Sequence, residues 1–233
     1  MLIERKCFVN KKNQEINEEL KNLLSPYFKH NKIKKREHLW FDGERPNKLY
    51  FINSGIIKIY DILPDGNTIT LYLFEKNTLF GFMPFFDEEP YPAYSQAVKD
   101  CDISTISKEE FNKIIIKHPE LSLKLIKILS SRLRESMLKN SENNNKNIIS
   151  RVASMLISLY LTNNRCYEKN STLNYKLELN LPSYEIANYI GITPETLSRN
   201  LKLLIDDKLI EKIAKRTYKI IDLDRLMEIS SNY

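Results

Sequence analysis

The sequence predicts an α+β chain: an antiparallel β-roll of jelly-roll type, then a long helix, then a winged helix-turn-helix. Three observations predict it. Short β-prone runs punctuated by turn signals fill the stretch from about Ile33 to Ile106. Beyond Ser107 the apolar spacing changes from two to three and four, the period of a helix. Near the C-terminal end, "IANYIGITPETLSRNLKLL", from Ile186 to Leu204, joins two helical repeats through a lone glycine, and β-prone runs follow it.

The roll is read from "LYFINSG", "IIKIYDILPDG", "TITLYLFEKNTLFG", "YSQAV" and "CDISTIS". Asp65-Gly66 and Phe80-Gly81 close two of these runs, where a glycine can take positive φ. Regular turns between short strands describe a compact barrel or jelly roll with a sheltered interior. An aromatic group, Phe80, Phe82, Phe85, Phe86, Tyr91 and Tyr94, gathers late in this stretch. Most of these rings are expected in the core, and the other reading is a mainly apolar ligand.

The next segment, from Lys108 to Asn140, is helical, and Pro119 sits at a helix start. Ser122, Ile126, Leu129, Leu133, Ser136 and Asn140 form a three-four seam, with Leu125 and Met137 beside it and Lys, Arg and Glu at its flanks. Such a seam pairs a helix with its twin, so Ile126, Leu129, Leu133 and Met137 are the candidate dimerisation residues. Packing on the chain's own roll is the other reading. "NSENNNKN", Asn140 to Asn147, is expected to interrupt the helix and act as a hinge, because Asn and Ser favour turns and caps. "IISRVASMLISLYL" restarts a helix and "YKLELNL" gives a short strand. The expected domains are residues 1–118, an N-terminal helix and sensory roll; 119–146, a dimerisation helix and hinge; and 147–233, the winged helix-turn-helix.

Within that last domain, Ile186 and Ile190 share a helix face and Ser183 stands at the expected N-cap. Gly191 ends the helix in a left-handed conformation, and Thr193-Pro194 is a cap and first-turn pair that starts the next. Small Ala187 allows the two helices to cross closely. Leu197, Leu201 and Leu204 fix the buried stripe of the second helix, which leaves Glu195, Ser198, Arg199 and Lys202 outside. Arg can bond guanine O6 and N7 together and Glu can accept from cytosine N4, so this face suits major-groove reading of double-stranded DNA. Leu209 to Ile213 and Thr217 to Ile221 are β-prone and flank Ala214, Lys215 and Arg216, a wing-like hairpin with a basic tip for phosphate. The candidate DNA-binding residues are Thr193, Glu195, Ser198, Arg199, Lys202, Lys215 and Arg216.

Composition agrees with a polyanionic partner. The 233 residues carry a formal net charge of +6, with a sequence pI near 9.0. No apolar run reaches membrane length and the first residues lack the apolar core of a signal peptide, so the expected setting is inside a cell or an organelle made from one, with no membrane partner. Cys7, Cys101 and Cys166 are odd in number and far apart, which indicates neither a disulfide framework nor a metal quartet. They are expected to be reduced, with Cys101 in the core. Walker loop, Gly-x-Ser-x-Gly and zinc-spaced cysteines are missing from the sequence, and the roll stretch holds only His38 where a jelly-roll metal enzyme needs two or three His. The expectation is a protein that is not an enzyme and has no metal site; a protein-binding regulator using its pairing helix alone is the remaining non-DNA alternative.

This order of elements resembles the CRP/FNR regulators over nearly the whole chain. "EIANYIGITPETLSR" is similar to the oxygen-sensing branch, whose Glu-x-x-Ser-Arg set reads a TTGAT-type half-site, and that likeness gives Glu195, Ser198 and Arg199 base-reading roles. Asn200 stands where an apolar residue is usual. The sensory half, with "FDGERPNKLYFINSGIIKIYDILPDGNTITLYLFEKNTLFG" and "HPELSLKLIKILSSR", resembles the global nitrogen regulators of cyanobacteria and algal plastids. Their effector is 2-oxoglutarate, held by backbone amides after a Phe-Gly pair, here Phe80, Gly81, Phe82 and Met83, and by arginines, of which Arg132 matches one. Ala93 stands in place of the other, and Pro194 where their recognition helix begins with a basic residue, which counts against 2-oxoglutarate and their operator. Phe82 and Tyr91-Pro92 replace the Glu and the Arg-Ser pair of cyclic-AMP binders, which counts against cyclic AMP. Cys7 alone makes no iron-sulfur cluster. The resemblance implies an allosteric homodimer that recruits RNA polymerase, and no certain cofactor.

Overall fold

The computed structural model describes residues 11–45, 48–165 and 176–231, apart from the side chains of 11–15, 138–145 and 161–165. Cys7 and Cys166 lie outside the described residues, as does the side chain of Asn140. The chain divides into two compact units, Lys11–Arg134 and, further on, Glu135–Tyr233.

In the first unit α1 (Lys11–Leu24) leads into eight strands: β1 (Lys29–Ile33), β2 (His38–Trp40), β3 (Lys48–Ser54), β4 (Ile56–Ile62), β5 (Thr68–Glu75), β6 (Thr78–Phe80), β7 (Tyr94–Ala97) and β8 (Cys101–Ser107). They form two four-stranded antiparallel sheets ordered β1-β8-β3-β6 and β2-β7-β4-β5. The run read as "TITLYLFEKNTLFG" breaks into β5 and β6 at Asn77, which takes φ 61°; Asn tolerates that left-handed backbone better than most residues.

Alternation along β3 explains how one strand serves two cores. Tyr50 and Ile52 point into the roll with Trp40, Ile57, Phe80 and Tyr91. Leu49 and Phe51 point the other way, against Leu20 and Leu24 of α1 and the helices that follow the roll. Those helices are α2 (Phe82–Asp87), α3 (Lys108–Lys117) and α4 (Glu120–Asn145). α3 starts on a capping box in which the Ser107 hydroxyl accepts from the Glu110 N–H and the Glu110 carboxylate accepts from the Ser107 N–H. It stops at His118, the residue before Pro119, where a helical backbone is disfavoured. Leu121, Leu125 and Ile128 of α4 are buried in the second core. Each such side chain contributes about 1.5–3 kcal/mol by leaving water.

The second unit holds α5 (Ile148–Arg165), β9 (Lys176–Glu178), α6 (Ser183–Ile190), α7 (Pro194–Asp206), β10 (Ile210–Ala214), β11 (Thr217–Ile220) and α8 (Leu223–Ser231). One core joins them, from Val152 and Leu156 of α5 through Ile186 and Ala187 of α6 to Leu197, Leu201 and Leu204 of α7 and Leu226 of α8.

Three local expectations are corrected here. The Asn-rich stretch does interrupt the long helix, but only at its last two residues and not from Asn140: α4 runs to Asn145. Helix propensity is a weak prior, and each Asn costs well under about 1 kcal/mol against Ala. The break falls at the next two residues. Lys146 is buried and donates from Nζ to Ser154 Oγ at 3.0 Å. Asn147 Oδ1 accepts from the Ser150 N–H at 2.9 Å and so starts α5. Ser183 is not the N-cap of α6, because Pro182 holds that place with ψ 148° and Ser183 is already the first helical residue. The wing has its strands at Ile210–Ala214 and Thr217–Ile220, which leaves only Lys215 and Arg216 at the tip, and β9 adds a third strand beyond β11.

Candidate nucleic-acid interface

The turn between α6 and α7 is built from backbone hydrogen bonds that only a left-handed residue permits. Gly191 has φ 69° and ψ 43°; its N–H donates to Asn188 O, and the N–H of Ile192 donates to Ala187 O at 3.0 Å. That pair of bonds is a Schellman closure, with half-buried Ile192 packed on the core. A further bond comes from α5, where Arg151 Nη1 donates to Ile190 O at 3.0 Å. Sequence reasoning missed Arg151, since nothing in the local pattern says which carbonyl an arginine 39 residues away will reach. A cation at a helix C-terminus also meets the negative end of its dipole.

Thr193 caps α7, its Oγ1 accepting from the Thr196 N–H at 3.2 Å, and Pro194 opens the first turn. Burying Leu197, Leu201 and Leu204 turns the opposite side outward, and Glu195, Ser198, Arg199 and Lys202 are all exposed on it. Asn200, half-buried, satisfies itself by donating from Nδ2 to Thr196 O at 2.9 Å. It therefore makes no demand on the core behind the helix. Arg199 Nη2 donates to Thr196 Oγ1 at 3.2 Å. Lys215 and Arg216 are exposed at the wing tip, and Arg216 takes φ 61°, a left-handed backbone that glycine would hold with less strain.

In the first unit Gly81, at φ 90°, precedes the short helix α2, a turn of aromatic residues that sequence patterning did not reveal. A Cβ at Gly81 would lie 2.8 Å from Tyr50 Cδ2 and 3.0 Å from Tyr91 Oη. Tyr91 stacks on Trp40 with centroids 4.0 Å apart, and its buried hydroxyl has no hydrogen-bond partner among the described residues. Burial pushes the Tyr91 phenol far up, and pushes Tyr50 up to about 12 with a smaller contribution from Glu44. Arg132 of α4 donates to Leu79 O, and its guanidinium lies 4.8 Å from the Phe74 ring centre and 4.9 Å from that of Phe82. Phe80 and Phe82 are buried and Met83 is exposed. Ala93 is buried, and its carbonyl accepts from Trp40 Nε1 at 3.1 Å. Phe85 is buried too, whereas Phe86 is half exposed and Tyr94 stacks on Tyr60.

On α4, Ile126, Leu129, Leu133 and Met137 are all exposed, and Leu123, which the seam had omitted, is exposed with them. Among the described residues no group of His, Cys, Asp and Glu could hold a metal ion, and no helix is long and apolar enough to cross a membrane.

A winged helix-turn-helix with an exposed polar recognition helix defines a DNA-binding class of protein. The family model of the cyclic nucleotide-binding domain matches residues 30–118, and that of the Crp-like helix-turn-helix domain matches residues 150–229. The anaerobic regulatory protein of Bacillus subtilis is 30% identical over 125 residues, 53% of this chain; the match spans about half of that relative's length, 52%. A global nitrogen regulator of Synechococcus elongatus is 27% identical over 180 residues, 76% of this chain and 79% of its own. A mutant of CooA from Carboxydothermus hydrogenoformans shares the fold with a TM-score of 0.74 and 24% identity, covering 88% of this chain and 89% of that one. The chain belongs to the CRP/FNR superfamily of transcription regulators and carries its helix-turn-helix DNA-binding domain.

Proposed function

We propose that the protein is a homodimeric, sequence-specific regulator that binds a palindromic operator in a bacterial cytoplasm or plastid stroma and recruits RNA polymerase. The observation that carries this reading is the outer face of α7, where Glu195, Ser198 and Arg199 are exposed beside a capped N-terminus. In it Glu195, Ser198 and Arg199 read base edges, while Thr193, Lys202, Lys215 and Arg216 meet phosphate. Residues 1–118 sense, 119–146 pair the two copies, and 147–233 bind DNA. Two copies place recognition helices about 34 Å apart, one turn of the duplex. Occupation of the roll near Phe80, Gly81, Phe82, Met83 and Arg132 shifts the population towards the DNA-competent form. Likeness to global nitrogen regulators supports nitrogen status as the signal.

A second reading, a regulator that answers to an apolar ligand or to none, is favoured by Ala93 and by the engagement of Arg132 with Leu79 O and two rings. Fluorescence anisotropy on a TTGAT-type palindrome and a scrambled duplex, at fixed salt and with or without 2-oxoglutarate, separates the two. Specific binding strengthened by 2-oxoglutarate supports nitrogen control. Specific binding that ignores it supports the second reading, and equal binding to both duplexes refutes the base-reading assignment.

A further inference from the structure

Arg199 is an exposed, long side chain, yet it is tied to its own helix. Thr193, Thr196 and Arg199 are three residues apart and form one stripe along the first two turns of α7. Thr193 Oγ1 accepts from the Thr196 N–H at 3.2 Å, which fixes the cap. The same hydroxyl donates to Thr196 Oγ1 at 3.0 Å, which fixes that oxygen in turn. Arg199 Nη2 completes the series by donating to Thr196 Oγ1 at 3.2 Å. The helix dipole works against this placement, because a cation over the first turn faces the positive end. The hydrogen bond to Thr196 is thus the specific attraction that draws the guanidinium back over the N-terminal turn.

We propose, resting on the base-reading role given above to Arg199, that Thr196 is a positioning residue for DNA sequence recognition. Its hydroxyl, held by the N-cap Thr193, restricts Arg199 before DNA arrives, so that less side-chain freedom is lost when the guanidinium meets a guanine edge. β-branching gives Thr196 few rotamers of its own, which makes it a firm acceptor. Ordering a rotamer-rich side chain costs about 0.5–1.5 kcal/mol, or about two- to twelvefold in an equilibrium constant.

The test uses the full chain with Thr196→Val, Thr196→Ser and Arg199→Ala, and a pool of randomised duplexes whose bound fraction is sequenced. Valine keeps the shape and leaves the backbone cap bond in place, and unchanged helical circular dichroism checks the fold. The base position that Arg199→Ala flattens identifies what Arg199 reads. Thr196→Val is expected to lower the preference at that same position about two- to twelvefold per half-site, with other positions and the salt dependence unchanged, and Thr196→Ser to restore it. Full preference in Thr196→Val, or failure of serine to restore it, overturns the proposal. So does a uniform loss at every position, which would make Thr196 a phosphate contact; a neutral hydroxyl displaces no counterion, so the salt slope stays the same in that case too. If Arg199→Ala itself leaves every preference intact, the base-reading role fails first and the positioning role with it.

Discussion

If α4 pairs two copies as proposed, replacing Leu133 by Glu is expected to dissociate them without unfolding either unit. Ile126, Leu129 and Leu133 are 56%, 39% and 64% exposed in the single chain. Complete burial of such a side chain is worth about 1.5–3 kcal/mol, so covering these exposed fractions yields about 2.5–5 kcal/mol per helix and about 5–10 kcal/mol for two. Association itself costs about 4–15 kcal/mol in lost freedom. The three residues alone therefore stand near balance, and exposed Leu123 and Met137 add to the favourable side. Leu133 supplies about 2–4 kcal/mol across both copies, so its loss weakens association about 30- to 900-fold before the cost of an unpaired carboxylate is counted. Sedimentation velocity across a concentration series measures this. Ile116→Glu, at an 80% exposed site on α3 rather than α4, is the control and is expected to leave association unchanged. A wild-type chain that stays monomeric at tens of micromolar, or equal effects of the two variants, would refute the reasoning.

Arg199→Ala is expected to cost about 1–3 kcal/mol per half-site and relax specificity at one base, whereas Lys215→Ala weakens all duplexes alike and flattens the salt dependence; anisotropy titrations on matched and mismatched duplexes at several salt concentrations decide, and a uniform loss in both variants would contradict the division. Gly81→Ala combines left-handed strain of about 1 kcal/mol with a clash against buried Tyr50 and Tyr91. The total, about 2–4 kcal/mol, lowers the thermal midpoint of the Lys11–Arg134 unit by roughly 8–15 °C, and calorimetry showing a drop under about 2 °C would count against it. His38, beside Tyr60, has its pKa held below 6.5, by burial first and Lys58 second. The unfolded chain then takes up its proton first, so stability falls as pH drops through about 6.5 towards the folded value and levels off below it. His38→Gln removes that component, and denaturant unfolding at a series of pH values would reveal identical slopes if this were mistaken.

Much of the fold was legible because its signals are local and redundant. Leu197, Leu201 and Leu204 repeat at helical spacing, Thr193-Pro194 marks a start and Gly191 a stop, and all three signals agree with α7 and the turn before it. The runs that form β3 to β8 were readable for a similar reason, since turn signals bound most of them, whereas β1 and β2 were not read as strands: β1 is short and largely polar, β2 is only three residues long, and no Gly or Asn marks the Lys34–Glu37 turn between them. α2 was not, because "FMPFFD" is apolar on every side and carries a proline, so it has no polar face to set a period. The end of α4 was misplaced because a run of Asn is only mildly unfavourable in a helix, while the actual stop depends on burial of Lys146 and the cap at Asn147. At the candidate sites the residue types were readable, but their partners were not. Arg132 with Leu79, Arg151 with Ile190 and Arg199 with Thr196 are matters of reach, and for the first two the partners lie 53 and 39 residues away.

The wing tip illustrates a conflict between endurance and use. At φ 61°, Arg216 occupies a backbone position that glycine would hold more comfortably by about 1 kcal/mol. A laboratory selection for heat tolerance alone would therefore replace it, and the survivors would be sturdier proteins with one fewer cation per copy at the tip proposed to touch phosphate. If the proposed phosphate contact is made, a gain in thermal robustness at this one residue comes at the cost of grip on DNA.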